Sequence, residues 1–319
     1  MKSKVFVRAS VAVLVGLCAA CLDPLKPPPA TIGFVAEYPL VGHGAGSIIT
    51  DLAGTYYVDD PVDRVLRRYA SDGSPMPFQI ATNDTVDLCS TPAFGRTNGL
   101  AYDEKRGITY VSYESTSVVR TLGGVYWTKC SEGISLNRPL GLAADFDQVF
   151  VADYNNRRIV RLSYDLQYIG DFYRMPGAAP PETIAAPVAV ATSNDGRVYV
   201  SDAGGAYANA SRVAVFDTEG RFVKSFGKQG SGKGDLRQPG GVAVDQAGRC
   251  IVADSGNHRV AIFDSTGEWL GNYGREGNLP GEFLGAGAVA VAPDGTILVL
   301  DTDRMRVIRL RLLERLFDH

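Results

Sequence analysis

The chain has 319 residues, 32 Lys and Arg against 35 Asp and Glu, and 45% hydrophobic residues. That apolar content, arranged with strong β periodicity, excludes disorder and points to one large folded unit. A formal charge of −3 gives none of the basic footprint that nucleic-acid binding requires.

Residues 1–20 open with a basic Met-Lys-Ser-Lys-Val-Phe-Val-Arg and continue in an uncharged apolar stretch from Ala9 to Ala20. This pattern predicts a secretory signal, too short to span a bilayer. Loss of Lys2, Lys4 and Arg8 with it leaves 29 basic against 35 acidic residues. Cys18-Ala-Ala-Cys21 resembles the lipobox of bacterial lipoproteins, with Cys18 where Leu usually stands. The resemblance implies a lipidated Cys21 and an exported, membrane-anchored protein facing the periplasm or the cell exterior. Ordinary cleavage near Ala20 is the alternative. Asp23-Pro-Leu-Lys-Pro-Pro-Pro29 reads as a semi-rigid spacer. The expected organisation is a signal at 1–20, a lipidated Cys and tether at 21–31, and one domain at 32–319.

A β-rich run, Gly33-Phe-Val-Ala-Glu-Tyr38, precedes six copies of one unit. Each copy opens on a small residue and reaches a landmark 12 to 14 residues later: Gly46 and Asp59, Gly99 and Tyr113, Gly141 and Asp153, Ala189 and Asp202, Gly241 and Asp254, Ala288 and Asp301. Short β-branched and aromatic runs between Gly, Asp and Asn turns predict strands. A period of about 40 to 54 residues predicts propeller blades of four antiparallel strands. Small opening residues fit innermost strands, which converge near the axis. The sixth copy stops after Arg306-Val-Ile-Arg-Leu310, so the amino-terminal run is expected to supply the outer strand of the last blade and close the ring.

Five copies combine the landmark Asp with an Arg opening the third strand: Asp59 with Arg64, Asp153 with Arg158, Asp202 with Arg212, Asp254 with Arg259, and Asp301 with Arg306. Copy two has neither, showing Tyr113 and Val118. Joint presence and joint loss point to a charge-assisted pair within each blade; independent drift is the alternative. On either reading these residues are structural rather than catalytic.

The units resemble NHL repeats. Asn257-His258 carries two of the three residues behind that name, with Arg259 where the name has Leu. The resemblance covers about residues 35–317 and implies an all-β, six-bladed β-propeller.

Three propeller enzyme types fail to find their residues. The peptide-amidating lyases of the repeat family need a zinc site with several histidines, and only His43, His258 and His319 exist, widely separated. The regucalcin and gluconolactonase group holds a cation through Glu, Asn and Asp before the inner strands. Here Asn98 stands opposite Ala45, Leu140, Val188, Gly240 and Gly287, and one polar ligand cannot hold a hard cation. The streptogramin-inactivating lyases use a His base, and no His occupies an obviously matching position. No catalytic residue, cofactor or metal is therefore assigned, Asn98 being the one residue of metal-site type. Gly230-Ser-Gly-Lys-Gly234 lacks the strand-loop-helix context of a phosphate loop and reads as a turn between blades. Asp301-Thr-Asp303 and Asp59-Asp60 read as turn caps.

Cys89 and Cys130 follow the outer strands of adjacent copies, and an exported chain meets an oxidising compartment; a disulfide or two free thiols remain open. Cys250 reads as a core thiol. Turns between second and third strands vary where the scaffold repeats, and such turns commonly carry recognition. Tyr154, Arg157, Tyr207 and Asn209, with His258, Arg304 and Met305 on the same face, form the expected binding surface. The expected function is a non-catalytic platform for an envelope protein or glycan, touching the membrane only through its anchor. A metal-dependent propeller hydrolase, lactonase or lyase is the alternative.

Overall fold

The computed structural model describes residues 31–40, 45–63, 65–76, 85–87, 97–103, 105–113, 118–122, 134–145, 147–173, 184–204 and 211–313. The expected signal, Cys21, Arg64, Cys89, Cys130, Tyr207, Asn209 and the chain end at His319 lie outside them. Strand β1 (Thr31–Pro39) begins one residue before the expected domain boundary.

Six antiparallel sheets follow among the described residues. The first holds β2 (Ile48–Thr50), β3 (Tyr56–Asp60), β4 (Val65–Tyr69), β5 (Pro75–Met76) and β6 (Thr85–Asp87), with β5 and β6 both on β4. The second holds β7 (Thr97–Asp103), β8 (Ile108–Tyr113) and β9 (Val118–Leu122). The third runs β10 (Pro139–Asp145), β11 (Gln148–Asp153), β12 (Arg158–Ser163) and β13 (Tyr168–Tyr173). The fourth runs β14 (Pro187–Ser193), β15 (Arg197–Ala203), β16 (Ser211–Asp217) and β17 (Phe222–Phe226). The fifth runs β18 (Val242–Val244), β19 (Cys250–Asp254), β20 (Arg259–Phe263) and β21 (Trp269–Tyr273). The sixth places β22 (Ala286–Val291), β23 (Ile297–Asp301) and β24 (Arg306–Leu313) beside β1.

The innermost strands touch in the cyclic order β2, β7, β10, β14, β18, β22 and back to β2. The molecule is a β-propeller. Its ring is closed by β1, which pairs antiparallel with β24 from Thr31 opposite Leu313 to Pro39 opposite Arg306, with a bulge at Val35. This pairing covers an edge that would otherwise expose a row of unpaired backbone groups.

Each blade packs face to face against two neighbours, so its second strand is apolar on both sides rather than alternating. All five residues of β19 and of β23 are buried. Five apolar clusters each join adjacent blades, such as Ile251 and Ile262 of the fifth with Val299 and Ile308 of the sixth. Each fully buried Val, Ile or Leu contributes about 1.5–3 kcal/mol.

Convergence at the axis explains the small opening residues. A Cβ on Gly141 would sit 2.6 Å from Ala189 Cα, one on Gly241 would sit 2.7 Å from Ala288 Cα, and one on Gly99 would collide with the Leu140 carbonyl. Hydroxyls stitch the same region across blades. Ser112, Ser201 and Ser255 donate to the carbonyls of Leu140, Gly240 and Ala286, each at 2.6 Å.

The two ends of the propeller differ. One, the turn end, carries the first-to-second and third-to-fourth strand turns, closed by Asp side chains. Asp245 Oδ1 accepts the N–H groups of Ala247 and Arg249, and Asp264 Oδ1 those of Thr266 and Glu268. The other, the linker end, carries the second-to-third turns and the connections between blades.

Candidate binding face and axial cavity

The landmark aspartates lie at the linker end, where the second strand turns into the third. Asp153, Asp202, Asp254 and Asp301 are fully buried, and each faces the Arg that opens the next strand. Arg158 Nε lies 2.8 Å from Asp153 Oδ2, Arg259 Nε 2.7 Å from Asp254 Oδ2, and Arg306 Nε 3.2 Å from Asp301 Oδ2. In the fourth blade the approach is looser, Arg212 Nη2 standing 3.5 Å from Asp202 Oδ2. Asp59 is buried and accepts the Ser47 N–H; its expected partner Arg64 is outside the described residues.

The same groups bind the incoming connection from the preceding blade. Asp254 Oδ1 accepts the N–H of Arg237 at 2.7 Å, while the guanidinium of Arg259 donates to the carbonyls of Ser231, Gly232 and Asp235. Asp153 likewise accepts the N–H of Asn137, and Arg158 donates to Ser135 O. Asn257 adds bonds to Asp254 and to Gly230 O. Burial lifts the Asp254 carboxyl above its ordinary value, against the pull of Asn257, the Arg237 N–H and Arg259. Gly230–Gly234 is therefore a strapped inter-blade connection, with Gly232 N–H bonded to Asp235, in keeping with a turn between blades. Asp60 caps its turn by accepting the N–H groups of Val62 and Asp63, whereas Asp301 belongs to a strap.

Sequence reading did not find the acid that completes two of these straps. Arg158 Nη1 reaches Asp171 on the outer strand β13 at 2.7 Å. In the last blade the equivalent acid is Glu37 on β1, 2.6 Å from Arg306 Nη1. The closing strand thus supplies a charge partner as well as backbone pairing, and Glu37 within the run Gly33–Tyr38 was the available signal.

The described members of the expected binding surface are spread over three blades. Tyr154 and Arg157 are in the third, with the Arg138 guanidinium 4.9 Å from the centre of the Tyr154 ring, and Arg157 is exposed. His258 is half-buried, and its Nδ1 lies 2.8 Å from Leu284 O. Arg304 and Met305 turn the last blade, where Met305 O accepts the N–H of Leu40. Arg157, His258 and Met305 have φ of 56°, 53° and 53°, the left-handed region that L-residues enter sparingly. In these three blades the residue before the landmark Arg thus shares one backbone conformation while its side chain differs.

Along the axis the inner strands enclose a cavity of about 330 Å³. Its described lining is mostly Gly, Ala, Val, Leu and Ile, with Ser47, Thr50, Asn98, Tyr102 and Thr192 as the polar residues and no charged one. Asn98 lines it, but its amide donates to Pro139 O at 3.3 Å. Among the described residues no group of three His, Cys, Asp or Glu is placed to hold a metal ion. Cys250 is a buried free thiol whose burial pushes its ionisation upward. No described helix is long and apolar enough to cross a membrane.

Comparison with known proteins agrees with this architecture. The NHL repeat family matches residues 236–263, from the strap of the fifth blade to the end of β20. A 36-residue stretch is 56% identical to part of Protein lin-41 of Caenorhabditis elegans, covering 11% of this chain and 3% of that protein; the match spans a small fraction of that relative's length. Among solved structures, a streptogramin B lyase is similar with a TM-score of 0.62 at 12% identity, over 89% of this chain and 98% of that one. A gluconolactonase of Xanthomonas campestris has a TM-score of 0.61 at 16% identity, over 91% and 99%. A chain of a nidogen–laminin complex has a TM-score of 0.55 at 14% identity, over 72% and 79%. These likenesses establish the fold. The chain is a β-propeller carrying an NHL repeat.

Proposed function

We propose that this propeller is a non-catalytic binding platform, exported and held to a membrane through lipidated Cys21, that recognises an envelope protein or glycan through its linker end. The recognising sector is the third and fourth blades, with Tyr154 and Arg157 joined by Tyr207 and Asn209. Aromatic and Arg side chains are the residue types that dominate interface energetics. His258, Arg304 and Met305 border the same end.

The observation that carries this reading is the wall of the axial cavity. Hydrolysis or elimination needs an acid, a base or a hard-cation ligand set within reach of bound substrate. The described wall offers neutral side chains, and the fully buried carboxylates of Asp153 and Asp254 are committed to straps at the linker end. The solved relatives include a lyase, a gluconolactonase and a member of a nidogen–laminin complex, so the fold accommodates catalysis and binding alike.

The test is divalent-metal analysis of the purified chain followed by capture from envelope extracts. The platform reading expects no stoichiometric metal and a captured partner lost on joint alanine substitution of Tyr154, Arg157 and Tyr207. About one tightly held calcium or zinc per chain with turnover of a lactone or ester would replace it with the enzyme reading.

A further inference from the structure

Among the described residues nine large apolar side chains are exposed, of which Val62, in a second-to-third turn, and Leu279, in an inter-blade connection, lie at the linker end. Leu52 sits in the turn after β2, and Tyr164 in the turn before β13. Tyr168 and Ile169 open β13, and Val223 is near the start of β17. Phe34 and Val35 lie on the half of β1 nearest the turn end, Phe34 being opposite Leu310, which itself pairs with Ile297 just after the Pro293–Gly295 turn. Leu52 is 64% exposed and Tyr168 53%.

The chain joins the propeller at this same end. Thr31 pairs with Leu313, the last residue of β24, so the described chain enters at the turn end, opposite the linker end. A tether of ten residues from Cys21 to Ala30 reaches about 30 Å when extended. That is long enough for the propeller to present any side to a membrane, so orientation must come from the surface itself.

We infer that the turn end is a bilayer-docking face, on which exposed Tyr, Leu, Ile and Val side chains settle into the lipid headgroup region while the linker end points away. Tyrosines favour that boundary because the ring is apolar and the hydroxyl remains hydrated. Tyr164 is held for this role: Arg106 lies 4.3 Å from its ring centre, and its carbonyl accepts the Tyr110 hydroxyl at 2.8 Å. Several basic residues here are matched by acids: Arg221 with Asp217, Arg249 with Asp245, Arg311 with Asp294 and Lys105 with Asp147. Docking therefore needs no anionic lipid. The inference rests on the proposed anchor and adds the orientation that the anchor alone leaves free.

The test uses the full chain, isolated with its native modification and reconstituted into phosphatidylcholine vesicles containing brominated lipid, which quenches nearby indoles. Leu52→Trp and Tyr168→Trp report on the turn end, and Val62→Trp on the linker end, each read against the parent with its Trp127 and Trp269. Docking predicts added quenching several-fold greater for the first two variants, unchanged when anionic lipid is included. Equal quenching at all three positions, or quenching confined to Val62→Trp, overturns the orientation even if the protein floats with the vesicles. Dimerisation with no quenching at either turn-end probe also overturns it, assigning the patch to a second copy. Failure of the parent to float removes the anchor and the inference with it.

Discussion

Arg259 and Asp254 form one half of a clamp whose other half is the preceding connection. Nε of the arginine binds the carboxylate at 2.7 Å while its remaining N–H groups hold three carbonyls between Ser231 and Asp235. A residue pair local in sequence thus fastens one blade to the chain arriving from another.

Removing Arg259 leaves Asp254 buried with its charge partner gone, a situation that costs about 3–5 kcal/mol. Arg259→Ala should show that loss in denaturant titration. Arg259→Lys should recover only part of it, since an ammonium cannot reproduce the planar fork. Arg212→Ala should cost less, because its approach to Asp202 is 3.5 Å. Equal losses at the two sites would contradict the clamp.

Acid should destabilise the fold through turn carboxylates. Burial opposes ionisation of Asp217, Asp264 and Asp294, yet the donors around them, including Arg221, the Thr266 hydroxyl and the Thr296 backbone N–H, hold all three below the ordinary value of 3.8. A depressed folded-state pKa gives stability that is complete above the unfolded value and lost as pH falls through the folded one. Asp254 has the opposite sign: its raised value favours the fold as it takes up a proton earlier than the unfolded chain. Stability should be level from about pH 7 to 5 and decline below about pH 4. Asp264→Asn should flatten that decline and Asp254→Asn steepen it, measured by urea midpoints across pH.

Ring closure predicts a large effect from a short deletion. Without residues 31–40, β24 becomes an exposed edge and Arg306 loses Glu37. The melting temperature should fall by on the order of 10 °C, with a greater tendency to aggregate. Glu37→Ala should give a smaller fall without aggregation. A melt unchanged by the deletion would show that β1 does not close the ring.

Two glycines should separate crowding at the axis from an open site on the rim. Gly99→Ala places a methyl group against the Leu140 carbonyl, whereas a Cβ at Gly170 meets nothing within 4 Å. The first should cost about 1–3 kcal/mol, as in overpacked cores, and the second should stay within about 1 kcal/mol. Thermal melts of the two variants decide it.

Repetition made the architecture legible from the sequence. Six copies with a small residue and a landmark, Asp in five of them, at near-constant separation identify strands, blades and a common axis, because inner strands meet a steric limit where they converge. The run at Gly33–Tyr38 and the truncated sixth copy foretold the exchange at β24, since an unmatched strand and an unfinished sheet leave complementary hydrogen-bonding edges. The pairing of Asp153, Asp202, Asp254 and Asp301 with the Arg of the next strand was legible too, because both lie within one hairpin of the same copy. Tertiary structure alone decided what these groups do next. The reach of Arg259 to Ser231, of Arg306 to Glu37 and of Ser255 to Ala286 depends on blades meeting in space, and the repeat pattern does not encode those partners. The left-handed backbone at Arg157, His258 and Met305, and the shared end of the exposed aromatics and the amino-terminal attachment, likewise emerge only when the ring is closed. Local periodicity specifies which faces must be buried; closure in three dimensions determines which side chains are left to meet.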